Sequence, residues 1–124
     1  MKKGWRNLPL FLKAGGSMTF YMNGNLWLVK FVNPMDKNLR RSDGEFALGM
    51  CDNNVKTIFI ANNQDDYKTE HILCHEITHA ICFEYDINLD YEMEEWLCNF
   101  MADHSRQIIN IIDELLYFAL QKVA

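Results

Sequence analysis

Residues 69–85 read TEHILCHEITHAICFEY, and the period of this stretch decides the fold. Leu73, Ile77, Ala80 and Ile81 recur at helical spacing and form one stripe that must face a core. Thr69 is the expected N-cap, and the helix should end near Tyr85. A second stripe runs beside the first and holds His75, Thr78, His79 and Cys82. Within it, His75-Glu76-Ile77-Thr78-His79 has the pattern H-E-x-x-H. Two imidazoles four residues apart share a helix face and can grip one zinc ion. Glu76 lies between them, placed to take a proton from water that the metal activates.

Downstream, 86–89 is a link and Asp90 can cap a second helix, with acidic Glu92, Glu94 and Glu95 favourable in its first turns. Met93, Leu97, Phe100, His104, Ile108, Ile111, Leu115 and Phe118 continue at helical spacing. No Gly or Pro interrupts residues 90–124. Either one long helix runs to the end, or a break falls at Asp103-His104-Ser105. Residues 108–120 are apolar on more of the circumference than one core stripe needs. They are expected to pack under the sheet or to make a dimer or partner contact. His104 reads as a hydrogen-bonded core histidine, and Trp5, Trp27 and Trp96 as core fillers.

Upstream the period is that of strands. Residues 18–22 and 26–32 flank Asn23-Gly24-Asn25, and Asn-Gly between β-formers is the strongest local hairpin signal. Residues 45–51 and 55–61 suggest a second hairpin around Asp52-Asn53-Asn54. The unbroken run Thr57-Ile58-Phe59-Ile60 suggests a strand covered on both faces. The expected fold is therefore α+β: a small antiparallel sheet of about four strands against two or three helices. The 124 residues suit a single domain, with residues 1–16 as an irregular arm.

The net charge of −5 argues against general nucleic-acid binding and against an anionic membrane surface. No apolar run approaches the ~18 residues that span a bilayer. The start, Met1-Lys2-Lys3 before Leu8-Pro9-Leu10-Phe11-Leu12, imitates a signal peptide, but Arg6 and Lys13 cut its apolar part short. The expected location is cytoplasmic. Cys51, Cys74, Cys82 and Cys98 form no C-x-x-C pair and read as reduced core thiols.

Catalytic zinc usually takes three protein ligands and leaves one position open. Glu95, 16 residues after His79 on the next helix, is the candidate third ligand. Asn99 lies one turn further on the same face, where it can hydrogen-bond the far nitrogen of a metal-bound imidazole. Asp103 extends that polar stripe. Glu94 is the alternative ligand, but only Cys98 stands one turn beyond it. Cys82 and Cys98 each follow a proposed ligand by three residues, and packing is their simpler role. His71, one turn before His75, reads as a surface residue.

His75-Glu76-Ile77-Thr78-His79-Ala80 followed by Glu95-x-x-Cys98-Asn99-x-x-Ala102 resembles the ImmA/IrrE family of phage and bacterial zinc metallopeptidases. More broadly it is similar to the gluzincins, in which H-E-x-x-H is followed by E-x-x-x-[DN]. The resemblance covers about residues 55–104, and Cys98 stands where that family has a small alanine. It implies His75, His79 and Glu95 as ligands of one zinc ion, Glu76 as catalytic base, and Asn99 in support of a ligand. It implies that the strand at 55–61 pairs with extended substrate. It further implies a specific protein substrate, such as a transcriptional regulator, in a phage or mobile-element setting within the host cytoplasm. The rival expectation is an inactive, zinc-stabilised protein that binds a host or phage partner without cutting it.

Overall fold

The computed structural model describes residues 14–123. Trp5 and the greater part of the expected arm lie outside them. The first two strands are β1, Ser17–Met22, and β2, Asn25–Val32, paired antiparallel from Ser17↔Lys30 to Met22↔Asn25. Asn23 and Gly24 both take positive φ (53° and 80°), the twist a two-residue hairpin turn demands. Next come β3, Gly49–Asp52, and β4, Thr57–Ala61, also antiparallel, from Gly49↔Ile60 to Asp52↔Thr57. Both expected hairpins are therefore present.

The pairing between the hairpins differs from expectation. The sheet order is β1-β2-β4-β3, and β2 and β4 run parallel from Leu28↔Thr57 to Val32↔Ala61. The sheet is mixed, not antiparallel. The cause is burial: all five residues of β4 are buried, so it takes a central position. Residues 33–48 carry the chain across to lay down β3 at the outer edge first. β4 must then return beside β2 in the same direction.

Alternation along the central strands makes two cores. Trp27, Val29, Phe31, Ile58 and Ile60 meet Ile72 and Ala80 of the helix α1, Asp66–Glu84, with Leu73 and Ile77 packed beside them. On the opposite face Phe59 and Ala61 pack on Leu39, which the short 3-10 turn Lys37–Leu39 presses into the sheet. The cap of α1 is Asp65, whose carboxylate accepts from Lys68 N at 2.7 Å. Thr69 lies inside the helix rather than at its start, because Asp65 offers a carboxylate cap one turn earlier.

Glu84 closes the far end of α1. Its buried carboxylate accepts from Trp27 Nε1 (2.8 Å) and Asn25 Nδ2 (2.6 Å) and pairs with Lys56 Nζ (2.9 Å). Asn23 Nδ2 donates to its carbonyl at 3.0 Å. One residue thus ties both hairpin turns to the helix.

The second helix, α2, spans Tyr91–Val123 without a break and is about 50 Å long at 1.5 Å per residue. Asp90 caps it as expected, accepting from Met93 N at 2.8 Å. Its first half packs on α1, with Cys74 Sγ 3.2 Å from Ser105 Oγ and Arg106 Nη2 2.8 Å from Glu70 Oε1. From Ile111 to Lys122 every side chain is exposed. Residues 108–120 therefore do not pack under the sheet. Trp27 fills the core, but Trp96 is 58% exposed, and His104 is exposed against Phe100. Both lie on a face of α2 turned away from α1, which a helical period alone cannot orient. No helix among the described residues is long and apolar enough to cross a membrane.

The hydrogen bonds from Lys56, Asn25 and Trp27 hold the Glu84 carboxyl down to about 2, against an ordinary 4.5. As pH falls, the unfolded chain takes up this proton first. The stabilisation is complete above about pH 4.5 and is lost between there and about pH 2. Followed from pH 7 to pH 2, the melting temperature should fall more steeply for wild type than for Glu84→Gln, and the two should converge at the acid end. Parallel curves would show that this carboxylate does not couple folding to protons.

Candidate metal centre

The H-E-x-x-H residues sit in the middle of α1, where it crosses the start of α2 and the edge strand β3. Helical spacing aligns His75 and His79, with ring centroids 5.0 Å apart. The first turns of α2 bring a carboxylate to both. His75 Nε2 lies 3.4 Å from Glu95 Oε1, and His79 Nε2 lies 2.8 Å from Glu95 Oε2. The three side chains singled out as ligands therefore converge, with the Nε2 atoms of both rings pointing at one carboxylate.

The other edges of the rings are held as well. Asn99 lies near the His75 side chain and favours its protonated form. His79 Nδ1 meets Glu94 Oε2 at 2.6 Å. Glu94 is thus not an alternative to Glu95 but its complement. Neighbouring helix residues point about 100° apart, so the pair straddles the His79 ring, one carboxylate on each nitrogen. Two adjacent acids facing a histidine helix were the available signal, and matching Glu94 only to its own i+4 neighbour missed it.

Burial pushes the His75 pKa below its usual value, against the nearby Glu95 carboxylate, so its ring is neutral at pH 7. A neutral imidazole is the ligating form. Glu76 is 7% exposed, and burial raises its carboxyl to about 7, opposed by His79 and reinforced by Glu95. Over Glu76 passes the backbone of β3. A Cβ at Gly49 would lie 2.5 Å from Ile72 Cγ2 and 3.0 Å from Glu76 Cγ. Only glycine lets the strand come this close.

One further donor is present. Fully buried Cys98 brings its sulfur into the group, so that ligating atoms of His75, His79 and Cys98 all lie within 4.8 Å of one another. These three residues can hold a metal ion. Burial raises the Cys98 thiol, with Cys82 and Glu95 adding to it, and lifts the Cys51 thiol to about 12. All four cysteines are free; Cys82 and Cys98 are buried, and Cys51 and Cys74 half-buried. His71 is half-buried one turn before His75 and paired with Asp103 at 2.8 Å.

The spacing of the histidine and Glu95 atoms can be set against that of a tetrahedral metal ion. Ligands at 2.0–2.1 Å around a tetrahedral ion stand roughly 3.3 Å apart. The observed 2.8 and 3.4 Å bracket that spacing. A cleft of about 590 Å³ opens in front of the group, walled by Arg41, Phe46, Leu48, Met50, Phe83 and Tyr91. The strand at 55–61 cannot pair with anything further, since β4 is bonded by β2 on one side and β3 on the other. β1 and β3 are the two edge strands, and β3 is the one that lines the cleft.

Compared with family models, curated proteins and solved structures, the chain shows no match.

Two substitutions test this geometry. Gly49→Ala forces Ile72 or the strand to move and should cost about 1–3 kcal/mol in denaturant unfolding. Glu94→Ala leaves every direct donor in place but frees His79 Nδ1, and zinc affinity by competition with a chelating dye should drop about 10–100-fold. An unchanged affinity would show that Glu94 does not orient the ring.

Proposed function

We propose that this chain is a zinc-dependent peptidase of the ImmA/IrrE kind, acting on an extended segment of a specific protein. The observation that carries this reading is the convergence of His75 Nε2, His79 Nε2 and both oxygens of Glu95 at the back of an open cleft. Two imidazoles and one carboxylate are a donor set typical of catalytic zinc, in which a position stays open. Bound there, zinc would supply Lewis acidity and a water made acidic enough to deprotonate near neutral pH.

The chain's own groups account for the rest. Glu76 is held under β3 with its carboxylate near His79 and Glu95, suited to accept a proton from the attacking water and return it to the leaving amine. Glu94 fixes the His79 ring, and Asn99 lies beside that of His75. The free edge of β3 offers backbone hydrogen bonds to an extended peptide laid across the cleft. Phe46, Leu48 and Met50 provide an apolar wall for its side chains. A folded protein would have to present such a segment as a loop or tail, which fits a single regulatory target such as a transcriptional repressor.

A second reading rests on Cys98. If its sulfur joins the histidines and Glu95, four protein donors close off the metal, which then serves to clamp α1 to α2 in a protein that binds without cutting.

Purified protein loaded with zinc and incubated with candidate regulators separates these. The peptidase reading expects fragments that disappear with a chelator, and their loss in Glu76→Gln by at least a hundredfold while zinc stays bound. Cleavage retained in Glu76→Gln removes the base from the mechanism. A stable complex without fragments selects the clamp.

A further inference from the structure

We propose that α2 is the dimerisation element of this protein, and that a second copy of the same chain covers its exposed apolar surface. This inference stands apart from the metal centre and does not depend on peptidase activity.

The distal half of α2 carries two separate apolar stripes. Phe100, His104, Ile108, Ile111, Leu115 and Phe118 follow one another by four, four, three, four and three residues, which keeps them on one helix face. That face is turned away from α1, and Trp96 stacks on Phe100 at its near end, with ring centroids 5.3 Å apart. The second stripe, Ile109, Ile112, Leu116 and Leu120, continues the face that Met101 and Ser105 present to α1. Beyond Asn110 this stripe is exposed too.

The size of the surface is decisive. Eight large apolar residues on the two stripes between 108 and 120 are each 42–66% exposed. Together they present on the order of 800 Å², more than the largest apolar patch of a typical monomer and about one partner's share of a standard interface. Spacing by threes and fours specifies that another helix seats on it. The near absence of charge along the stripes marks a permanently covered surface of the homodimer type, not one exposed between encounters. The one helix always available in equal amount is α2 of another copy.

An acceptor is also present on the same chain. Between α1 and α2 lies an apolar groove of about 360 Å³, lined by Leu73, Ile77, Ile81, Met101 and Ile109. It begins where the second stripe becomes exposed. A two-fold pairing lets each copy offer a projecting helix and receive one, so both stripes are covered and the contact closes on itself.

Sedimentation equilibrium of the full chain at about 10–100 μM tests this. The proposal expects twice the 14.6 kDa chain mass. Leu115→Glu with Phe118→Glu should give the single-chain mass while the cooperative melt and near-ultraviolet signal of buried Trp27 persist. Should that pair prevent folding, Leu115→Gln alone should weaken dimerisation at least tenfold. Tyr117→Glu, on the polar side of the helix with Asn110 and Asp113, should leave the dimer intact. A single-chain mass for wild type at 100 μM, a mass above the dimer, or a dimer unaffected by substitution at both 115 and 118 would overturn the proposal.

Discussion

Three carboxylates, from Glu76, Glu94 and Glu95, crowd two imidazoles in a half-buried cleft, and one of those imidazoles is driven neutral by burial. Like charges brought together out of water repel strongly unless a cation sits among them. That constraint organises the centre. The acids come from the first turns of α2 and the histidines from the middle of α1, so whatever satisfies the charge also joins the helices. β3 is held against the same point by Gly49. The fold therefore brings helix, helix and strand edge to one place where a divalent cation is electrostatically favoured.

Much of this was legible in the sequence because it depends on local periods. The helix over residues 66–84, the Asn23-Gly24 turn and the burial of Thr57–Ala61 all follow from short-range chemistry. So does the placement of His75, His79, Glu95 and Asn99, since i, i+4 spacing on two helices fixes which atoms can meet. The parallel contact between β2 and β4 was not legible, because it depends on where a 16-residue crossover lands, not on any pattern within the strands. Glu94 and Gly49 were missed for a related reason. Their roles arise from what faces them across helix and strand. Trp96 and His104 show the converse: a periodic apolar stripe indicates a covered face without saying which chain covers it.

Cys98 can serve either packing or coordination. As a buried thiol it packs the α1–α2 contact, and as a sulfur near the histidines it could close the coordination sphere. An open position suits chemistry and a closed one suits a clamp, so the identity of the donors separates catalysis from structure more sharply than the fold does. The exposed end of α2 adds a separate requirement. Its apolar stripes are exposed and lie on a part of the molecule away from the cleft.

The most direct measurement is X-ray absorption at the zinc edge on protein loaded with one equivalent of metal. Zinc held by His75, His79 and Glu95 should show two imidazole nitrogens and oxygen donors at about 2.0–2.2 Å, with no sulfur in the shell. A sulfur contribution at about 2.3 Å, or failure of the protein to retain zinc at all, would contradict this ligand set.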